Sequence, residues 1–382
     1  VLADGRAVTL ERSIGDTAAQ LGRDGPAYRE LMAPLVARFE ALLPMLLGPL
    51  RFPSEPLLLA RFGMSALRSM TGLARARFVE EAAPALLAGI SAHAMVPLDA
   101  AATSSFALVL AMAGHAVGWP VARGGSQAII EALVAHLRGL GGEIECERPV
   151  ARLSELPRAR AYVLDLAPRG VLAVAGERLP ALYRRRLARF RYGPGVFKID
   201  WALNAPIPWR DPNCGRAGTV HLSGSLRQIA AETEAVHAGV LPARPFILLA
   251  QPSRFDASRA PAGMHTAWAY CHVPHGSRVD ATREIEDHVE RYAPGFKATI
   301  VARATRNAAE VEAYNPNYVG GDINGGLADL RQLFFRPVAR ADPYATPAPD
   351  VFVCSSSTPP GGGVHGMCGY WCAESVLARA LA

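Results

Sequence analysis

The residues best placed to do chemistry lie near the carboxyl end, where Val351 to Leu381 reads VFVCSSSTPPGGGVHGMCGYWCAESVLARAL. The apolar run Val351-Phe352-Val353 predicts a short strand covered on both faces. A Ser- and Pro-rich turn follows, then Gly361, Gly362 and Gly363, then a helix. Three glycines strip Cβ atoms from the chain where that helix begins. Backbone N–H groups there can approach a ligand closely and aim at negative charge. Gly366, Gly369 and Ala373 recur at spacings of three and four, which gives the helix one smooth face for a flat group or for a sheet. Two readings satisfy the pattern: a cofactor-facing bend, and a glycine-rich turn before an ordinary C-terminal helix.

Other chemistries find little support. No nucleophile elbow, P-loop or Ser–His–Asp arrangement is visible, so hydrolysis and phosphoryl transfer lack residues to carry them. His265, His272 and His275 are close in sequence, but His265 and His272 fall on opposite sides of a strand and no carboxylate lies nearby to complete a zinc site, so no metal is assigned. His93 and His115 sit in apolar runs and read as core histidines. The loop Tyr314 to Gly326 (YNPNYVGGDINGG) holds too many turn residues for one turn. Asp322 within it is the one acid to place near chemistry, its other role being to brace the loop.

The elements that must position these residues follow from periodicity. Ala101 to Gly118 predicts a core helix, since Thr103, Ser104, Ser105 and His115 interrupt it too often for a membrane span. Leu31, Leu35, Phe39, Leu42, Leu43 and Leu46 share one helical face that Pro34 and Pro44 must bend or break. Leu57 to Phe78, apolar with Arg61, Arg68, Arg75 and Arg77 interspersed, fits a cap helix on the core or a helix lying on a membrane surface. In Trp119 to Leu153, Gly124 and Gly125 precede a helix with an Ile129, Leu133, Leu137, Leu140 stripe. Gly141 and Gly142 end it, and Glu143 to Cys146 starts a strand. Ala161–Leu166, Val196–Leu203, Phe246–Gln251 and Thr266–Val273 predict further strands, with a helix marked by Ile285, Val289 and Tyr292.

Composition bounds the class. The 382 residues are 50% hydrophobic, enough for a large core in two domains. The net charge is +6, yet Lys198 and Lys297 are the only lysines among 40 basic residues. No basic stripe with interleaved aromatics accompanies the arginines, which argues against nucleic acid. Six cysteines without a CxxC pair suit a reduced, cytoplasmic setting. No signal peptide opens the chain.

The C-terminal stretch resembles the flavin motif of phytoene-dehydrogenase-like proteins, FAD-dependent oxidoreductases that include carotenoid desaturases. Thr358, Pro360, Gly361, Gly362, Gly363, Val364, Gly366 and Gly369 match it. Ser355 stands at a usual Gly, Ser356 where many relatives carry an acid that contacts the flavin, and Pro359 where His is common. The resemblance extends to the Gly124-Gly125 segment, where it implies that Val150 contacts the FAD adenine through its backbone, and to the loop around Asp322 with Arg336-Pro337, Tyr344 and Thr346-Pro347 beside the substrate cavity. It therefore implies FAD held by Gly124, Gly125, Val150, Ser356, Gly361, Gly362, Gly363, Val364, Gly366 and Met367. It also implies oxidation, desaturation or isomerisation of an apolar small molecule, with contact at a membrane periphery an option.

The implied fold is α/β, an incomplete FAD-binding Rossmann-type domain (119–170 and 345–382) with a mixed-sheet substrate domain (171–344) and a helical cap (1–118). No GxGxxG is read anywhere in the 382 residues, so the family's N-terminal strand–GxGxxG–helix unit is expected to be missing. LADGRAVTLERS reads as a hairpin-like fragment starting mid-domain after Val1. The expectation is an N-terminally truncated member, with a lipophile-binding protein that does not hold FAD as the alternative.

Overall fold

The computed structural model describes residues 1–381. Seven strands form two sheets. β1 (Tyr162–Leu164) and β7 (Val351–Val353) pair in parallel, in the register Tyr162 with Val351 and Leu164 with Val353. The other five are β2 (Gly195–Leu203), β3 (Thr219–Leu222), β4 (Ile247–Ala250), β5 (His265–Val273) and β6 (Ile300–Arg306). They form an antiparallel sheet in the order β3-β4-β5-β2-β6.

Strand alternation explains how that sheet is buried. Phe197, Ile199, Trp201 and Leu203 of β2 share a face with Ala267, Ala269, Cys271 and Val273 of β5. The helix Thr282–Tyr292 covers this face with Ile285 and Val289. Its buried Glu286 accepts from Trp201 Nε1 (3.0 Å) and Arg303 Nε (2.8 Å), so the carboxylate is not left bare. The opposite face meets a bundle of cap helices through Leu248, with Trp268 and Tyr270 packed beside it.

Thr103–Ala116 is the central cap helix, packed against Ala82–Ser91 and Gly25–Val36. It buries Ala107, Leu108, Ala111 and Met112 completely. The polar residues at its start are all used. Ser104 Oγ donates to Ser65 O (2.6 Å), and Thr103 Oγ1 accepts from Met70 N–H (2.8 Å). His115 lies 2.7 Å from the Tyr28 hydroxyl, a satisfied core histidine. The Pro34/Pro44 run forms two helices, Gly25–Val36 and Phe39–Leu46; each keeps its proline inside, and the break falls at Ala37-Arg38.

Two expectations fail for want of a partner. Glu143 to Cys146 pairs with no strand among the described residues, and backbone β-structure exists only as a ladder. The opening residues likewise form no ladder. They make a tight turn in which Leu2 N–H reaches Arg6 O (2.9 Å), and the Val1 amino group donates to His221 O (2.7 Å). The helix Gln127–Gly139 has the predicted stripe, but not one of its residues is buried. No helix among the described residues is long and apolar enough to cross a membrane.

Candidate functional site

Parallel pairing of β1 and β7 brings the residues after both strands to one edge, the place where open α/β sheets bind ligands. Asp165 and Ala167 leave β1 beside Cys354, Ser355 and Ser356 leaving β7. A cleft of about 410 Å³ opens there. Gly361, Gly363, His365, Gly366, Cys368 and Gly369 form one wall, and Asn315, Asn317 and Tyr318 the other.

The turn after β7 is fastened from three sides. Thr358 Oγ1 donates to Ser355 O (2.7 Å), Ser357 Oγ to Gly325 O (2.9 Å) and Tyr344 OH to Pro359 O (2.9 Å). Buried Arg336 donates to Ser356 O from Nη1 (3.1 Å). Gly362 must be glycine because an added Cβ would meet the Asn324 carbonyl at 2.7 Å. Gly361 has φ +112°, where a side chain would be strained.

The terminal helix Met367–Ala380 points its start at the cleft. Its first ladder bond runs from Tyr370 N–H to Gly366 O (3.1 Å), so the amides of Cys368 and Gly369 lie ahead of the ladder. Met367 N–H is taken by His365 Nδ1 (3.0 Å). Nothing lies within 4 Å of where Gly366 or Gly369 would carry a Cβ, so the smooth face is open. On the opposite wall, Asn317 clamps the end of β1. It accepts from Ala167 N–H (2.8 Å) and donates to Asp165 O (3.2 Å). Burial raises the Asp165 carboxyl above its usual range and lowers His365.

Of the sequence-predicted site residues, Ser356, Gly361, Gly363 and Gly366 line this cleft, and Gly362 and Met367 belong to the same bend. Val364 points into solvent, 96% exposed. Gly124, Gly125 and Val150 contribute nothing to the cleft wall. Gly124 N–H instead donates to Asp256 Oδ2 (2.6 Å), and its carbonyl accepts from Arg259 Nη1 (2.5 Å). Asp322 is buried outside the cleft. Its Oδ2 accepts from Gly193 (2.7 Å) and Gly326 (3.0 Å) and its Oδ1 from Asn324 (2.8 Å). Burial raises this carboxyl while three amides and Arg336 oppose the shift. These three bonds tie the loop to Gly193 and to itself.

The sequence reading missed Asp165, Asn317, Tyr318, Cys354 and His365 as cleft residues. It also passed over a pattern in plain view: Gly361-Gly362-Gly363-Val364-His365-Gly366 has GxGxxG spacing. The dinucleotide fingerprint needs its glycines directly between strand and helix, whereas Cys354 to Pro360 separate this run from β7, so the spacing does not make a tight βα turn.

The cleft suits the ring end of a flavin. Glycines at 361, 363, 366 and 369 recur along its lining, and the amides of Cys368 and Gly369 lie ahead of the ladder at a helix start. No comparable cradle for an adenosine end is formed by Gly124, Gly125 and Val150.

No protein-family model matches the chain. It is 28% identical over 289 residues to pyridine nucleotide-disulfide oxidoreductase domain-containing protein 2 from Mus musculus, covering 66% of this chain and 50% of the relative. The Rattus norvegicus protein matches equally. The chain thus spans about half the length of the curated relatives it matches. Among solved structures, an oxidoreductase from Methanosarcina mazei superposes with a TM-score of 0.56 at 14% identity, over 85% of this chain and 71% of that one. Putrescine oxidase bound to putrescine superposes with a TM-score of 0.54 at 14% identity, over 92% and 76%. The chain has a mixed helix-and-sheet fold resembling the folds of these oxidoreductases.

Proposed function

We propose that this chain is an FAD-dependent oxidoreductase of the phytoene-dehydrogenase-like kind, acting on an apolar small molecule. The observation that carries the reading is the open glycine face of the terminal helix, set beside the carboxyl ends of two parallel strands. Gly361, Gly363, Gly366 and Gly369 would lie against the ring system, and the Cys368 and Gly369 amides would face its negative charge. The positive end of the helix favours charge there. Ser356 offers a hydroxyl, though no charge, where an acid would bind more strongly. Asn317 and Tyr318 also line the cleft. FAD, when bound, supplies the hydride acceptor. No residue is assigned as general base.

A second reading, a lipophile-binding protein that does not hold FAD, is favoured by one observation: Gly124 and its neighbours are engaged with Asp256 and Arg259 instead of the cleft. Titration of the purified chain with FAD, followed by quenching of flavin fluorescence, separates the two. Saturable binding is expected, and Gly369→Leu should weaken it at least about tenfold, equivalent to about 1.4 kcal/mol. Leucine at 369 projects into open space, so the fold is kept. No binding by the native chain, or equal binding by the variant, would refute the flavin reading.

A further inference from the structure

We propose that a second cavity, at the start of β1, is a binding site for a small phosphorylated molecule. Residues 151–192 carry ten arginines against the acids Glu155, Asp165 and Glu177, a net charge of +7 in a chain whose whole net charge is +6. Much of that charge is unpaired. Arg152, Arg169, Arg178 and Arg191 lie beside carboxylates, whereas Arg158, Arg160, Arg184, Arg185, Arg186 and Arg189 form no ion pair among the described residues. A cavity of about 270 Å³ opens in this lobe, with Leu153, Leu156 and Val174 as its apolar lining. Tyr162, the first residue of β1, also lines it, so it lies at the end of β1 remote from the glycine cleft.

Arg152, Arg158 and Arg178 line the cavity together with a single carboxylate, Glu177. The protein holds them with donors to spare. Arg178 uses only Nη2 on Asp350, at 2.9 and 3.0 Å from its two oxygens, and its Nε and Nη1 make no hydrogen bond among the described residues. The Tyr162 hydroxyl donates to Pro157 O (3.0 Å) and accepts from Ala159 N–H (3.3 Å), which pins the loop on both sides of Arg158. Arg152 stands 3.6 Å from Glu155, beyond a hydrogen bond. Guanidinium forks match the oxygens of a phosphoryl group. Three cations against one acid leave +2, the complement of a phosphomonoester with its charge of about −2 at neutral pH, whereas a monocarboxylate would leave a cation unmatched. The volume falls at the small end for ligand sites, so the occupant is a compact molecule and not a dinucleotide. The exposed run Arg184–Arg186 with Arg189 adds a field that concentrates anions near this lobe. The site stands on these residues alone, whether or not flavin binds in the cleft.

The test is calorimetric titration of the full chain with inorganic phosphate and with phenyl phosphate at low ionic strength. Saturable binding of both is expected, with the ester tighter because its apolar body can meet Leu156 and Val174. The double variant Arg152→Gln/Arg158→Gln should bind at least about tenfold more weakly, through loss of charge-assisted hydrogen bonds. Both side chains are exposed, so thermal unfolding without phosphate should stay unchanged. Arg185→Gln/Arg186→Gln, outside the cavity, should change affinity by no more than about twofold, and Gly369→Leu should leave it as it is. Absence of saturable binding, or a cavity variant that binds like the native chain, would overturn the proposal. An equal loss from Arg185→Gln/Arg186→Gln would overturn it by reducing the site to a diffuse field, and a loss from Gly369→Leu by handing the phosphate to the glycine cleft. Weaker binding of phenyl phosphate than of the free ion would overturn the ligand class.

Discussion

Thr103–Ala116 and Gln127–Gly139 are successive helices of 14 and 13 residues, both rich in aliphatic residues and alanine. The first is the centre of the cap core; the second buries nothing. Leu108 is fully enclosed, while Leu133 is 62% exposed. Local sequence thus sets the shape and polarity of a helix, and its burial is decided by what other segments provide. The cap helix is surrounded by five others, Gly25–Val36, Phe39–Leu46, Pro56–Ala66, Met70–Arg77 and Ala82–Ser91. The second helix meets no element that buries any of its residues.

The contrast predicts unequal mutational costs. Leu108→Ala should destabilise by about 2–5 kcal/mol in guanidinium unfolding, the cost of a cavity in a packed core. A much smaller loss would mean that the cap is loosely packed.

The seam between cap and sheet sharpens the same difference through pH. His93 Nε2 lies 3.1 Å from His221 Nε2, and His272 Nε2 is buried without a partner. Burial holds His93 at about 4 and His272 at about 3, with His221 also well below 6.5; the Val1 ammonium and the neighbouring imidazoles add to the shift on His221. The unfolded chain takes up these protons first. Stability is therefore complete above pH 6.5 and falls as pH drops toward the folded values, by about 1.4 kcal/mol per pH unit for each imidazole. His272→Phe should flatten this acid limb. An unchanged limb would show that the seam does not exclude the charge.

Glu232 works in the opposite direction. Its Oε2 is buried without a partner, and burial raises the carboxyl to about 9. The folded chain keeps a proton that the unfolded chain releases near 4.5, so this contribution is full below pH 4.5 and is lost as pH rises toward 9. Glu232→Gln should raise the melting temperature at pH 8 and leave it nearly unchanged at pH 4. The smallest effect belongs to the bare helix: Leu133→Ala should cost no more than about 0.5 kcal/mol. A loss as large as that of Leu108→Ala would mean that the helix is covered in solution, and the comparison would fail.

What could be read from the sequence follows the same division. β2, β4 and β5 were legible to within a residue at each end, because long apolar or alternating runs report burial directly. β6 was not. Ile300–Arg306 (IVARATR) is an arginine-bearing edge strand with six of seven residues exposed, and its pairing with β2 alone makes it a strand. The glycine bend of the site was legible because its residue types are demanding. Asp165, Asn317 and Tyr318 were not, since only the pairing of β1 with β7 and the Asn317 clamp carry them to the glycines.

The loop that Asp322 braces has one more consequence. Asn317 grips the end of β1, Asp322 the chain at Gly193, Asn324 Nδ2 the His93 carbonyl (3.0 Å), and Gly325 the hydroxyl of Ser357. The nine residues from Asn317 to Gly325 therefore rivet together the small sheet, the approach to β2, the cap and the floor of the glycine bend. Any shear of the cap must travel through this fulcrum, so the cap helices and the glycine bend cannot relax independently of each other.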